Sequence, residues 1–140
     1  MPVYLERSYQ FAASHHYWRP DWAEEKNRRV FGKCAQAPGH GHNYRVTVTV
    51  TGDLDPETGF CIDLPELDRL VKVRILDRLD HRHLNDAVAE FTPGKKVPTS
   101  ENLATWIASQ IQPALPTGAS LTEVRLAEDD LLAAIWRTPS

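Results

Sequence analysis

The sequence predicts an α+β domain in which an antiparallel sheet carries two helices on one face, and three observations support this. Tyr44 to Thr51 is a strict period-two run rich in β-branched residues. Two apolar stripes of helical spacing lie in mid-chain. Segments of strand character flank those stripes on both sides, giving the order ββααββ. The 140 residues and 15.8 kDa fit one domain, 1–140, with no internal boundary.

The first strand is expected over Val3 to Phe11, where Val3, Leu5, Tyr9 and Phe11 alternate with Tyr4, Glu6 and Gln10. From Tyr17 to Gly41 periodicity is lost among charges, prolines and glycines, as in a long functional loop. In the second strand, Val46, Val48 and Val50 share one face. Gly52 ends it, and Asp55-Pro56-Glu57-Thr58-Gly59 supplies turn chemistry before Phe60 to Ile62, read as a hairpin return.

Asp63 with Glu66 three residues on is a capping-box pattern, and Leu67, Val71, Ile75 and Leu79 then repeat every four residues, so helix one runs to about Leu79. Helix two follows Pro98, capped by Thr99 or Ser100, with a stripe of Leu103, Trp106, Ile107 and Ile111 ended by Pro113. Leu121 to Ala127 and Leu131 to Arg137 form a terminal hairpin about Glu128, Asp129 and Asp130. Helices on one face leave the other bare. Thr47, Thr49 and Thr51 make that face polar, and a short sheet with open edges is expected to pair with other subunits.

Composition narrows the function. Acids outnumber bases by 19 to 16, for a formal charge of -3, and no basic stripe fits a phosphate backbone, so nucleic acid is not an expected partner. The first eleven residues lack the basic-then-apolar layout of a signal peptide and no 18-residue apolar run exists; a cytoplasmic protein without a membrane partner is expected. Two cysteines do not make a disulfide framework, and no dinucleotide fingerprint is present.

The residues able to carry chemistry fall in few places. His40 and His42 are spaced i, i+2, so an extended segment puts both imidazoles on one face, where His15 from a neighbouring strand end would complete a triangle. Three imidazoles suit a zinc ion with an open fourth position, whereas a lone His-x-His is more often a pair of solvated loop histidines. Cys34, in Phe31-Gly32-Lys33-Cys34, reads as a base or nucleophile activated by a positive neighbour or a metal, as inert packing, or as a fourth ligand closing the metal site. Cys61 sits in an apolar run and fits packing. Asp80-His81 fits either a proton relay or a polar helix end. Glu128 is either a carboxylate aimed into a cleft or, as its local sequence favours, part of a hairpin turn.

Taken in order, Phe11-Ala-Ala-Ser-His15, Phe31-Gly-Lys-Cys34, Gly39-His-Gly-His-Asn-Tyr44, Leu79-Asp-His81 and Pro98-Thr-Ser-Glu-Asn102 resemble the signature of the 6-pyruvoyl-tetrahydropterin synthase family over nearly the whole chain. The resemblance implies a tunnelling fold: a four-stranded antiparallel sheet with two helices, three subunits closing a barrel and two trimers stacking into a homohexamer. It implies that His15, His40 and His42 hold zinc, that Cys34 is the catalytic base, and that Asp80 and His81 complete its proton relay across a subunit interface. Glu128 matches the carboxylate that anchors the pterin. After it this chain has Asp129 and Asp130, where many relatives have threonine and a less acidic neighbour. His16 and His83 match no ligand position.

The implied substrate is 7,8-dihydroneopterin triphosphate, converted to 6-pyruvoyl-tetrahydropterin with loss of triphosphate; Lys33 and Arg82 are candidates to bind the triphosphate. The runner-up is the 6-carboxy-tetrahydropterin synthase branch of queuosine biosynthesis, which uses the same substrate and releases acetaldehyde. A third reading, of another class, is a non-catalytic zinc- or pterin-binding module.

Overall fold

A computed structural model describes residues 2–139. Its sheet has the order β3-β1-β2-β4-β5, built from β1 (Tyr4–His15), β2 (His40–Gly52), β3 (Arg82–His83), β4 (Ala119–Ala127) and β5 (Ala133–Arg137). The four long strands pair antiparallel, as their alternation predicts. Two-residue β3 adds a fifth strand, parallel to β1 at Ala13 and Ser14, that no sequence period could announce.

The alternation of β2 decides where the core sits. Val46, Val48 and Val50 are fully buried on the face covered by the helices. Against them pack Leu67, Val71, Ile75 and Leu79 from the first helical segment, which comprises α2 (Leu64–Val71), a π-helical stretch (Lys72–Leu76) and α3 (Asp77–Leu79). Leu103, Ile107 and Ile111 come from α5 (Ser100–Ile111). Both stripes read from the sequence are thus the core. The opposite face carries Ser8 and Thr47, joined at 2.8 Å, beside Arg45 and Arg125. No helix among the described residues is long and apolar enough to cross a membrane.

Four local expectations change. The Tyr17 to Gly41 stretch holds α1 (Glu24–Phe31) and a 3-10 turn (Gly32–Ala35), and a short α4 (Leu84–Ala87) follows β3. Phe60 to Ile62 forms no strand: Asp55 Oδ1 accepts from the N–H groups of Glu57 and Thr58, and the segment leads as a loop into α2. Asp63 is the N-cap of α2 but its side chain accepts no capping bond, whereas Thr99 accepts from Asn102 N at 3.1 Å. β1 and β2 each reach four residues further at the site end than predicted. That extension brings His15 opposite His40.

Candidate active site

The register of β1 and β2 builds the site. Phe11 pairs with Tyr44, Ala13 with His42 and His15 with His40, so the core-facing row ends in a patch of imidazoles. Gly39 makes that approach sterically feasible: at φ +110°, a Cβ there would collide with the backbone carbonyl of His15. Ring centroids lie 4.9 Å apart for His15 with His40, 4.9 Å for His15 with His42 and 5.0 Å for His40 with His42. His15 is wholly buried, and burial, with His42 and His40 adding to it, pushes its pKa down to about 3, so it stands neutral. Its Nδ1 lies 2.8 Å from the Tyr44 hydroxyl, which orients the ring.

Cys34 enters from the 3-10 turn. Its Sγ is 3.7 Å from Nε2 of His15 and 3.7 Å from Nε2 of His40, while those two nitrogens are 3.3 Å apart. Lys33 beside it is exposed and leaves the thiol uncharged: burial, then Glu128, push the Cys34 thiol up. The activating positive charge expected from the sequence is therefore not the lysine.

Glu128 is buried and points inward. Asp129 takes the turn instead, its Oδ1 accepting from Leu131 N and Leu132 N. Glu128 Oε2 lies 3.0 Å from His42 Nε2, in a geometry that leaves the buried nitrogen without a hydrogen bond. The donors form two groups that share His15, with His15, Cys34 and His40 in one and His15, His42 and Glu128 in the other, each with its ligand atoms within 4.8 Å, so His40 and His42 fall in different groups and the expected histidine trio is not itself one of them.

Asp80 and His81 lie apart from these groups. Asp80 Oδ1 accepts from Ala12 N at 2.9 Å and sits 3.1 Å from His81 Nδ1, and the Ala12 N–H is the largest influence holding the Asp80 carboxyl low. His81 is 82% exposed and neither residue bonds Cys34 or the three histidines within the chain. Both line an open depression of about 800 Å³ with Arg45, Arg125, Asp129 and Asp130; this hollow contains neither Cys34 nor His15. Arg82 and His81 border a second hollow that reaches His42, and Lys33 faces solvent.

Tyr44 and Asn27 support the site, and of the two only Tyr44 lies within one of the sequence's motifs. That asparagine is fully buried beneath the loop, accepting from Arg19 N and donating to Arg19 O.

The same arrangement can be compared with known proteins. A family model described as 6-pyruvoyl tetrahydropterin synthase matches residues 4–139. The 6-pyruvoyl tetrahydrobiopterin synthases of Pongo abelii and Homo sapiens are 40% and 39% identical to this chain over 133 residues, covering 95% of it and 90% of each relative. The solved 6-pyruvoyl tetrahydropterin synthase of Caenorhabditis elegans matches with a TM-score of 0.91 at 30% identity, covering 99% of this chain and 97% of that one.

Proposed function

Because the chain belongs to the 6-pyruvoyl tetrahydropterin synthase family, enzymes of the lyase type, we propose that it converts 7,8-dihydroneopterin triphosphate to 6-pyruvoyl-tetrahydropterin with elimination of triphosphate. The observation that carries the reading is the convergence of His15, His40, His42, Cys34 and Glu128 at one end of β1 and β2.

One pair of the donors has the spacing of zinc ligands. Two nitrogens each about 2.0–2.1 Å from a tetrahedral zinc stand about 3.3–3.4 Å apart, which is the His15 to His40 separation of 3.3 Å. The buried His42 Nε2, lacking a hydrogen bond, is a ligand atom in want of a partner. His15, His40 and His42 would hold the ion. When bound, it supplies positive charge beside the substrate side chain and makes a neighbouring C–H more acidic.

The chain's own residues do the rest. Cys34 takes the proton from the substrate side chain as its thiolate; burial and Glu128 oppose that form, and a cation beside it would favour loss of the thiol proton to solvent before the step. Glu128 accepts the paired N–H groups of the pterin edge, for which a carboxylate has matching geometry. Asp80 fixes His81, which returns a proton; exposed at the surface away from Cys34 of their own chain, the two are open to a neighbouring subunit's site.

The pyruvoyl product is favoured over the carboxy product because the relatives at 40% and 39% identity carry the pyruvoyl name. Incubation with 7,8-dihydroneopterin triphosphate tests the reading: triphosphate and the 6-pyruvoyl product are expected. Acetaldehyde would assign the chain to the queuosine branch, and no turnover by zinc-loaded protein would leave a binding module.

A further inference from the structure

His16, the residue that follows β1, has no part in the ligand set, yet its backbone N–H, its carbonyl and its ring Nε2 are each tied. Asn85, from α4, grips its backbone twice: His16 N donates to Asn85 Oδ1 at 2.9 Å and Asn85 Nδ2 donates to His16 O at 2.8 Å. With the backbone fixed, the imidazole stacks on Trp18, ring centroids 5.8 Å apart and planes within 17°. Its Nε2 lies 2.9 Å from the carbonyl oxygen of Ala35. A carbonyl only accepts, so Nε2 carries the proton. Next to that contact, Tyr17 N donates to Cys34 O at 2.8 Å.

We infer that His16 is a positioning residue for Cys34: held by Asn85, it clamps the 3-10 turn at Ala35 and so sets the thiol against His15 and His40. The turn needs such a clamp. Its apolar anchoring is small: the preceding helix buries only Asn27, the turn itself buries only the small side chain of Ala35, and Phe31 between them stacks on Trp22. The other end of the clamp is anchored in the fold, since Asn85 Nδ2 also reaches Phe91 O at 3.4 Å and Phe91 is part of the core. A displacement of about 1 Å at a reacting group is enough to cost on the order of 10²-fold in rate. One imidazole to carbonyl bond is thus a means of controlling turnover without touching substrate.

The inference rests on the assignment of Cys34 as base, and its test separates the two. In zinc-loaded enzyme, His16→Phe keeps a ring to stack on Trp18 but removes the donor, while His16→Gln keeps an N–H donor at similar reach. For His16→Phe the expected outcome is a kcat lower by about tenfold or more, with KM and zinc content within about twofold of wild type. Iodoacetamide should modify its Cys34, read by peptide mass against Cys61, several-fold faster than in wild type. His16→Gln should recover most of both properties. Should His16→Phe not fold, His16→Leu takes its place, and failure of both to fold would make the role structural and overturn the inference. It is likewise overturned if Cys34 is modified at the wild-type rate, if zinc is lost together with activity, or if His16→Gln is as impaired as His16→Phe. Full turnover in Cys34→Ala would sink the base assignment alone, because the modification rate reports where the thiol is held whatever its chemical role.

Discussion

Burial acts in opposite directions on two groups 3.7 Å apart, lowering the pKa of His15 and raising that of Cys34, and so keeps both neutral in the metal-free chain. Removing the thiol separates chemistry from binding, since Cys34→Ala should lose about 10²-fold or more in kcat while still binding zinc and pterin. Glu128→Ala should instead raise KM, because it leaves the pterin's donors unpaired with the base intact. If both variants shift the same kinetic parameter, the two roles are not separate. A pH dependence follows from His15. Its folded pKa of about 3 lies below the ordinary histidine value of 6.5, so the unfolded chain takes up the proton first. Metal-free protein should be stable above about pH 6.5 and lose stability as pH falls towards 3, with His15→Gln flattening the urea-midpoint profile. The histidines were legible because strand alternation is a local rule. Glu128 was marked only by the family resemblance: nothing local distinguishes it from Asp129, and the turn bonds from Leu131 and Leu132 show which carboxylate faces inward. The His16 and Asn85 pairing spans 69 residues and leaves no local trace.

At the scale of elements, the four long strands and the two helices held because each has a continuous apolar row to bury, the three-residue return at Phe60 to Ile62 did not form, and α1 was missed because it has no such row. Its one buried residue is Asn27, a polar side chain occupied with backbone groups of Arg19, so no apolar period exists to be read. Two-residue β3 is below the length at which alternation means anything. The two helix starts looked alike in sequence and differ in the structure, and that difference can be measured. Thr99→Ala removes a capping bond and should destabilise the fold by about 1 kcal/mol in urea unfolding. Asp63→Ala removes no such bond and should cost less, leaving only its charge near the helix start. Equal losses at both positions would show that the hydrogen bond is not what sets the cap at Thr99.

At the scale of the molecule, one chain is an unfinished object. Among the described residues the outer edge of β5 has no strand beside it, Leu131 is 95% exposed at the hairpin tip, and Ile135 faces outward from the edge strand. Asp80 and His81 are presented on the surface with no substrate-reacting group of their own chain in contact. Association resolves both conditions, and the expected assembly is a homohexamer of about six times 15.8 kDa by light scattering. A stable monomer at micromolar concentration would contradict it, but mass alone does not show that a site is shared. Mixing does. Cys34→Ala subunits retain Asp80 and His81, and His81→Ala subunits retain the thiol, so each pure variant should be nearly inactive. Unfolding the two together in equal amounts and refolding them with zinc should restore about a quarter of wild-type turnover, the fraction of sites that pair an intact thiol with a neighbour's intact histidine. If base and relay belonged to the same chain, every subunit in the mixture would still carry one defect in its own site and no activity would return.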